Sequence, residues 1–461
     1  MKVSVRSWST MDIESQHRLL ARSQADIAEV SEAVERIIGE VRTRGDRAIR
    51  EMNQRFDGVN TDAPIRVPEQ HFEEAGILLS EKVIAALEYS IENVRRCHAD
   101  QAPGGMRWKR IRRGIMVAER RGPIDSVGFY VPRSRGSFPS MLYMMAVPAQ
   151  IAGVKRLVMA SSPDPGGRLD PACLYTARLC GVDEVYAMGG AQAWAALAYG
   201  TETVTRVDKC LGPGSKYIAA AKQLLSGVLD CGLPAGPSES IILADESPDA
   251  QDVARNLLVE AEHGSDSSAL LITDSPGLAH DAAEWLSELS ETLPEPRRSF
   301  VQDVFSTYGG IILVDNIAEG AELANRFAAE HLQIRTADPS ATLKLIRHAG
   351  EILLGNNAPF SAANYSVGAN AVLPTGGAAR TWSGLSVADF EKRSSVIVMS
   401  ERGLDELRGH AASLAEYEGF PAHRRALDDW KPAGGSPDDG FPDGCPPAKD
   451  SDGGACRNHI R

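Results

Sequence analysis

The sequence lacks closely spaced cysteines, and this absence excludes most cysteine-based metal and redox sites. No two cysteines are spaced as C-x-x-C, and their number is odd. The seven cysteines are Cys97, Cys173, Cys180, Cys210, Cys231, Cys445 and Cys456. This usage favours reduced thiols in a cytoplasmic protein over a disulfide framework or a cysteine zinc site.

Excess positive charge and long apolar runs are also missing. The formal net charge of −13 argues against a nucleic-acid partner or an anionic membrane surface. The most apolar stretch, Met141 to Val154, contains Pro148 and Gln150 and is too short to span a bilayer, so it predicts buried core. The first six residues contain no apolar run, so no signal peptide is expected.

No standard nucleotide fingerprint is present, because neither G-x-G-x-x-G nor G-x-x-x-x-G-K-[ST] occurs. Three glycine-rich turns are instead interpreted as following predicted strands. They are Gly189 to Gln192, Gly212 to Lys216 and Ala235 to Glu239. Glycine allows a backbone to approach a ligand closely or to begin a helix tightly. Three such turns in one sheet region predict a ligand lying across the strand ends.

Hydrophobic periodicity predicts the fold class. The first hundred residues have apolar residues at helical spacing, and short β-rich runs alternate with helical stretches from about Ile115 onward. The predicted strands are residues 126–131, 157–160, 184–188, 240–244, 269–273, 310–314, 333–336 and 352–354. The predicted helices between them are residues 191–199, 217–225, 250–262 and 318–328. This alternation indicates an α/β protein with parallel sheets in two units.

The last thirty or so residues differ in composition from the rest. From about Lys431 onward the chain is rich in Gly, Pro, Asp and Ser and has almost no aliphatic residues. Such a segment cannot bury enough apolar surface to offset the entropy of ordering, which predicts a disordered tail over residues 431–461. Cys445, Cys456 and His459 lie in this tail and are excluded from the candidate site.

Two Ala-Glu-His tripeptides, ending at His263 and His331, contain the side chains best suited to acid/base or metal chemistry. Glu260 and His263 share one face of a predicted helix and could chelate a divalent ion. A solvated surface pair is the alternative, and this segment alone favours it. Glu330 could polarise His331, or each could transfer a proton in successive steps, although ordinary loop polarity explains the pair equally well. Glu418 to His423 forms a third such element.

A series of motifs in one order, from about Val41 to Arg425, resembles the histidinol dehydrogenase family. The motifs are Arg44-Gly45-Asp46, Arg55-Phe56-Asp57-Gly58-Val59, Val127-Gly128-Phe129-Tyr130-Val131-Pro132, Gly189-Gly190-Ala191-Gln192-Ala193, Val207-Asp208-Lys209, Gly212-Pro213-Gly214, Ala235-Gly236-Pro237-Ser238-Glu239, Ala261-Glu262-His263, Glu330-His331-Leu332, Leu373-Pro374-Thr375-Gly376-Gly377 and Ser383-Gly384-Leu385-Ser386-Val387. Chance does not account for so many motifs in that order, so the chain is identified as a member of the family.

The resemblance implies a zinc-dependent, NAD-linked oxidation of an amino alcohol through an aldehyde to a carboxylate, with two NAD+ used in succession. Glu330 and His331 match the acid/base positions. The positions that match metal ligands, for one zinc per subunit, are Glu260, His263, Asn364 and His423. The cofactor-contacting positions are Tyr130, Gln192 and Ser215. The substrate-contacting positions are Ser238, Glu260, His263, His331, Asn364, Glu418 and His423.

The resemblance also implies the domain organisation and the assembly. The expected parts are an N-terminal arm at residues 1–25, a first incomplete Rossmann-like domain at 26–129 plus 238–381, a second at 130–237, and a dimerisation element at 382–430. The family assembles as an intertwined homodimer, so Glu418 and His423 would complete the neighbouring subunit's site. No nucleic-acid or membrane partner is expected.

Several positions depart from the family pattern. Glu260 replaces a glutamine ligand and Asn364 replaces an aspartate, so the net charge of the ligand set is unchanged and zinc or manganese still suits it. Ser215 replaces the usual asparagine at a cofactor contact, where a hydroxyl can still hydrogen-bond. Ala371 replaces a histidine expected around the substrate, and a site that loses such a group commonly loses discrimination for its original ligand.

A loop that normally opens with Pro-Gly-Gly here contains Arg133 and Arg135. These arginines could clamp an anionic group, or they could be solvated. The departures favour a paralogue that oxidises a different small polar alcohol. The alternatives are a dehydrogenase for an anionic hydroxy compound of the sulfopropanediol type and a non-catalytic metal or metabolite binder. Retention of all the proton-transfer and imidazole-ligand positions argues against the non-catalytic alternative.

Overall fold

The computed structural model describes residues 3–22, 27–133 and 136–430, so the predicted disordered tail lies outside the described residues. The strands are β1 (Val5–Ser7), β2 (Arg107–Arg112), β3 (Ile115–Pro123), β4 (Ser126–Val131), β5 (Arg156–Ser161), β6 (Glu184–Ala187), β7 (Lys209–Leu211), β8 (Glu239–Ala244), β9 (Ser268–Thr273), β10 (Gly310–Leu313), β11 (His331–Arg335), β12 (Glu351–Leu354) and β13 (Glu391–Met399).

The helices lie mostly between successive strands. They are α1 (Ile13–Ala21), α2 (Ile27–Asp57), α3 (Glu69–Ala75), α4 (Glu81–His98), α5 (Pro139–Ala152), α6 (Pro171–Leu179), α7 (Gly190–Tyr199), α8 (Lys216–Leu225), α9 (Ala250–Ala261), α10 (Pro276–Ser290), α11 (Arg297–Thr307), α12 (Ile317–Phe327), α13 (Pro339–Leu343), α14 (Phe360–Tyr365), α15 (Glu401–Tyr417) and α16 (Pro421–Asp428). Among the described residues, none of these helices combines the length and the apolar character that crossing a membrane requires.

The larger sheet has six parallel strands in the order β1-β10-β9-β8-β11-β12. Its central strands β8 and β9 are buried along their whole length, because helices cover both faces. Alternate residues enter different cores: Ile241 and Leu270 pack on one face, and Ile242 and Leu271 pack on the other. Continuous aliphatic strands of this kind are typical of a parallel sheet covered on both faces.

The smaller parallel sheet has four strands in the order β6-β5-β4-β7. Phe129 and Met159 face one apolar core, while Tyr130 and Val158 face the other. Two helix-covered parallel sheets confirm the predicted α/β class. All eight predicted strands and all four predicted helices that lie between them are present, with bounds that differ by at most two residues.

A third, antiparallel sheet was not expected from the sequence. Strand β3 pairs with β2 on one side and with β13 on the other. These strands, together with α15 and α16, form a separate compact unit whose described residues are 102–123 and 391–430. Most residues of β2 and several of β13 are exposed and charged or polar, so they lack the apolar pattern that predicts a buried strand.

The first hundred residues are mainly helical, as predicted, and their one described strand, β1, pairs with β10 at the edge of the six-stranded sheet. One further expectation is wrong. The turn Ala235 to Glu239 does not follow a strand; it leads into β8 of the six-stranded sheet, whereas the two other glycine-rich turns follow β6 and β7 of the four-stranded sheet. The three turns therefore belong to two sheets. The domain boundaries stay a prediction, and β4 crosses the predicted boundary between residues 129 and 130.

Candidate active site

The candidate site lies at the amino ends of β8, β11 and β12, neighbouring strands of the six-stranded sheet. Glu330 immediately precedes β11, and His331 is the first residue of that strand. Both are buried, which excludes ordinary loop polarity as their explanation. The Glu330 carboxylate accepts a hydrogen bond of 3.0 Å from the backbone N–H of Glu239, and its Oε1 lies 3.9 Å from Nε2 of His331.

The direction of helix α9 explains why Glu260 and His263 lie at the same edge of the sheet as Glu330 and His331. Helix α9 follows β8 and precedes β9, which is parallel to β8, so the helix runs back and its C-terminal end lies at the amino end of the strands. Glu260 is in the last turn of α9 and is 1% exposed. His263 lies two residues past the helix and is half-buried. Because Glu260 is buried, the alternative of a solvated surface pair is wrong.

Glu260, His263 and Asn364 form one contact group. Asn364, on α14, donates from Nδ2 to Oε1 of Glu260 over 2.8 Å, and Nδ1 of His263 lies 3.4 Å from Oε2 of Glu260. Nδ1 of His263 is also 2.9 Å from the carbonyl of Val259. If Nδ1 carries the proton, as this carbonyl contact requires, Nε2 has the lone pair that a metal needs.

These three residues fit a divalent ion. Their oxygen and imidazole donors suit zinc, and Oδ1 of Asn364 is buried with no hydrogen-bond partner among the described residues. A buried acceptor without a partner is costly, and a cation would relieve that cost. No group of three or more His, Cys, Asp or Glu side chains that could hold a metal occurs in the described part of the chain. The three-residue group has only two side chains of those types, and the metal assignment stays a prediction.

The fourth predicted ligand, His423, and the substrate residue Glu418 belong to the second compact unit. Glu418 is exposed and caps the C-terminal end of α15. His423 is exposed on α16, with its ring 5.2 Å from the ring of Phe420. Both side chains are exposed within their own chain. A residue that contributes to the site of another subunit must be exposed in this way. Their assignment to a neighbouring subunit stays a prediction.

Burial and mutual charge shift the titration of the central groups. Desolvation raises the pKa of Glu330 to about 8. Desolvation would lower the pKa of His331, but the charges of Glu260 and Glu330 and a contact with Glu351 outweigh it and raise the pKa to about 10. Burial opposes ionisation of Glu260, yet the charges of His263 and His331 hold its pKa below the ordinary value. An acid near neutrality beside a charged imidazole is suited to proton transfer.

Glu239 is a buried residue of this site that the sequence reasoning did not single out. Its Oε1 lies 3.2 Å from Nη1 of Arg22 and accepts a hydrogen bond from the N–H of Gly376. Burial nevertheless raises the pKa of Glu239 to about 7. The predicted substrate residue Ser238 lies next to it at the entrance of β8 and is half-buried. The sequence motif that ends at Glu239 predicts a turn from its glycine, and no local pattern predicts that the Glu239 carboxylate is buried.

Glu351, at the start of β12, was missed as well. Its Oε1 lies 2.9 Å from Nδ1 of His331. The two residues are directly opposite each other in the parallel pairing of β11 and β12. A glutamate before the apolar run of β12 is a weak signal, because the sequence does not reveal the register that brings it to His331.

The residues predicted to contact the cofactor lie at the carboxyl end of the four-stranded sheet. The hydroxyl of Tyr130 accepts a hydrogen bond of 3.1 Å from the N–H of Gly190, the first residue of α7. Gly190 has φ +61°, and a Cβ there would meet Oε1 of Gln192 at 2.6 Å. Gln192 is buried in the first turn of α7. Helix N-termini at this edge are suited to bind phosphate.

Four other positions singled out in the sequence, Ser215, Arg133, Arg135 and Ala371, have different surroundings. Ser215 is the exposed N-cap residue of α8, and its side chain makes no capping hydrogen bond. Arg133 is exposed, and its Nη1 donates to the carbonyl of Pro163 over 3.2 Å, while Arg135 lies outside the described residues. Ala371 packs against the apolar core that Phe129 faces. Arg133 therefore has an internal partner, and the anion-clamp hypothesis stays a prediction.

The two parallel sheets and the buried carboxylate–imidazole group define an α/β protein with a site suited to proton transfer. The family model "Histidinol dehydrogenase" matches residues 20–429. The chain therefore belongs to the histidinol dehydrogenase family, a family of oxidoreductases. This match confirms the resemblance found in the sequence motifs.

Individual relatives agree over nearly the whole chain. A histidinol dehydrogenase from Synechocystis sp. is 47% identical over 412 residues, covering 89% of this chain and 95% of that protein. A "Histidinol dehydrogenase homolog" from Rhizobium meliloti is 44% identical over 427 residues, covering 92% and 94%. The crystal structure of histidinol dehydrogenase from Elizabethkingia anophelis matches with a TM-score of 0.87 and 29% identity, covering 93% and 97%.

Proposed function

We propose that this chain is a zinc-dependent, NAD-linked dehydrogenase that oxidises a small polar alcohol to an aldehyde and then to a carboxylate. The observation that supports it best is the buried pair of Glu330 and His331, which interacts electrostatically with a second buried carboxylate, Glu260. Gathering several ionisable groups in one desolvated place is costly, and such clusters concentrate at functional sites.

Proton transfer is the role we assign to Glu330 and His331. With its pKa raised to about 8, the Glu330 carboxyl can hold and release a proton near neutral pH. Its Oε1 is 3.9 Å from Nε2 of His331, a gap that one substrate hydroxyl or one water can bridge. The pair therefore has a donor and an acceptor that can exchange roles in two successive oxidation steps.

The chain's other assigned residues hold and orient the reacting groups. Those assigned to the metal are Glu260, His263, Asn364 and His423. Those assigned to the dinucleotide are Tyr130, Gln192 and Ser215, and those assigned to the substrate alone are Ser238 and Glu418. When bound, zinc supplies Lewis-acid polarisation of the substrate oxygen and NAD accepts the hydride. Cysteine usage supports a cytoplasmic location, and the family resemblance supports a homodimer with sites shared between its subunits.

Ala371 bears on the identity of the alcohol. It packs against an apolar core and offers no hydrogen bond where the family pattern has an imidazole. A site that has lost a polar partner discriminates poorly for the ligand that used it. We therefore assign a small polar alcohol other than histidinol, and an anionic hydroxy compound of the sulfopropanediol type is the second candidate.

The deciding experiment is a screen for NADH release. L-Histidinol is compared with sulfonated, carboxylated and amino alcohols, using the wild type, Glu330→Gln and a control variant, Glu284→Gln, whose side chain is 72% exposed on α10. Glu330→Gln is expected to lower kcat by about 10²–10⁴-fold, the usual contribution of a general acid or base. Turnover of histidinol at ordinary enzymatic rates would overturn the substrate assignment.

A non-catalytic binding protein gives a different result in the same screen. No alcohol would then be turned over, and Glu330→Gln would be indistinguishable from the wild type. The metal is tested separately by elemental analysis, with about one divalent ion expected per chain. Chelation is expected to abolish activity and zinc to restore it. Activity that survives removal of all metal would contradict the zinc assignment.

A further inference from the structure

The edge strand β12 begins with a carboxylate that the catalytic pair does not include. The Glu351 side chain is only 10% exposed, although the strand lies at the edge of the sheet. Its Oε1 is 2.9 Å from Nδ1 of His331, within hydrogen-bond distance. A carboxylate is costly to bury unless it is paired and hydrogen-bonded, and here the imidazole is its partner.

Backbone pairing fixes this contact. The N–H of Glu351 donates to the carbonyl of Glu330 over 2.9 Å, and the N–H of Gly350 donates to the carbonyl of Ala329 over 2.9 Å. A Cβ at Gly350 would lie 2.6 Å from the Glu330 carbonyl oxygen, so only glycine allows the two strands this approach. The acceptor and the imidazole therefore lie opposite each other on two paired strands, and neither belongs to a loop.

The geometry also assigns the two ring nitrogens different roles. Nδ1 faces Glu351 at 2.9 Å, while Nε2 faces Glu330 at 3.9 Å. A carboxylate can only accept, so the contact at Nδ1 requires a proton on that nitrogen. The ring orientation that satisfies this contact leaves Nε2 directed toward Glu330. Fixing one nitrogen in this way sets the tautomer and orientation of the other.

We propose that Glu351 is a positioning residue of this enzyme. It accepts the Nδ1–H of His331, holds the ring against rotation and keeps Nε2 available for proton exchange on the Glu330 side. The inference rests on the proposed function, because it assigns Glu351 to the residue that transfers protons there. A purely structural role, in which Glu351 only anchors the edge strand, is the competing explanation.

The test combines a spectroscopic and a kinetic measurement on the full-length protein. The variants are Glu351→Gln, which keeps an oxygen acceptor, and Glu351→Ala, which removes it, with Glu284→Ala as the control. Protein labelled with ¹⁵N in the histidine rings is expected to have a slowly exchanging Nδ1–H resonance, assigned to His331 by its absence from His331→Asn. The resonance is expected to persist in Glu351→Gln and to vanish in Glu351→Ala.

Kinetic measurements distinguish a Glu351 that positions the His331 ring from one that only anchors the edge strand. We expect kcat to fall about 10-fold in Glu351→Gln and about 100-fold in Glu351→Ala, with KM changed less than about 3-fold. The loss of kcat is expected to be smaller in Glu351→Gln because this variant keeps an oxygen that can accept the Nδ1–H. Glu284→Ala is expected to match the wild type in both measurements.

Each remaining outcome decides between the proposals. A Glu351→Ala protein that keeps the Nδ1–H resonance, or that loses thermal stability with kcat unchanged, overturns the positioning role. If no form of the protein oxidises an alcohol but the resonance vanishes in Glu351→Ala, the proposed function fails while the contact stands. If Glu351→Ala does not fold, Glu351→Gln decides, because the proposal predicts a fall in kcat of about 10-fold in that variant and an unchanged kcat overturns it.

Discussion

At the scale of single residues, the protonation of the site depends on two opposing effects. Burial disfavours the charged forms of its side chains, and neighbouring opposite charges favour them. Glu239, Glu330 and Glu351 surround one imidazole, His331, at the edge of a sheet, and Arg22 supplies a cation to Glu239. Two of these carboxylates keep their protons to unusually high pH because water cannot solvate their charged forms. The stability of the protein must therefore depend on pH.

Glu239 gives a direct test of that dependence. Its pKa rises on folding from 4.5 to about 7, so the folded state binds the proton more tightly than the unfolded chain. The stabilisation is complete below pH 4.5 and is lost as pH rises through about 7. We expect Glu239→Gln to remove about 3 kcal/mol of the wild-type decline in unfolding free energy over this window.

Urea denaturation at pH 5, 6, 7 and 8 measures the effect of Glu239→Gln, with the exposed residue Glu284 replaced by Gln as the control. The control curve is expected to run parallel to that of the wild type. If the free energy of unfolding declines equally in Glu239→Gln and in the wild type, the Glu239 carboxyl is ionised in the folded state throughout this pH range.

At the scale of elements, the positions of strands followed from the sequence but their register did not. Aliphatic runs bounded by turn residues indicated β8, β9, β10 and β12 because buried parallel strands have that composition. The pairing of His331 with Glu351 depends on how two distant strands align, and no local pattern encodes it. For this reason the sequence predicts the Glu330–His331 pair but not the role of Glu351.

Gly350 tests how closely β11 and β12 must approach. In Gly350→Ala the added Cβ would lie 2.6 Å from the backbone oxygen of Glu330 and 3.2 Å from Cβ of Leu373. Backbone cannot move aside as a flexible side chain can, so we expect a loss of about 1–3 kcal/mol in the free energy of unfolding. Activity should fall as well, because Glu330 would be displaced.

The control for this substitution is Gly227→Ala. Gly227 is exposed, and a Cβ there would meet no atom within 4 Å. Chemical denaturation of the two variants under one condition gives the comparison. A Gly350→Ala protein as stable as Gly227→Ala would mean that β12 is not held against β11 as tightly as the distances indicate.

At the scale of the whole molecule, the predicted ligands are divided between two compact units. Glu260, His263 and Asn364 belong to the first, and Glu418 and His423 belong to the second. We propose that the second unit completes the site of a partner subunit, which makes the catalytic unit a dimer.

Mixed dimers test this sharing. Glu330→Gln and His423→Ala homodimers are each expected to be nearly inactive, because every site lacks one essential group. A heterodimer of the two, purified through two different affinity tags, should have one intact site and about half the wild-type kcat per dimer. If each chain uses its own His423, the heterodimer will be as inactive as either parent.

The sequence by itself determined the family, the α/β class, the buried strands and the residue types of the catalytic pair. These properties depend on local patterns and on motifs that can be recognised in a single sequence. Only the tertiary structure revealed the antiparallel sheet of β2, β3 and β13, the carboxylates of Glu239 and Glu351 beside the catalytic pair, and the burial of Glu260. Register, desolvation and the pKa shifts that follow arise between residues far apart in the chain, so no local stretch of sequence could reveal them.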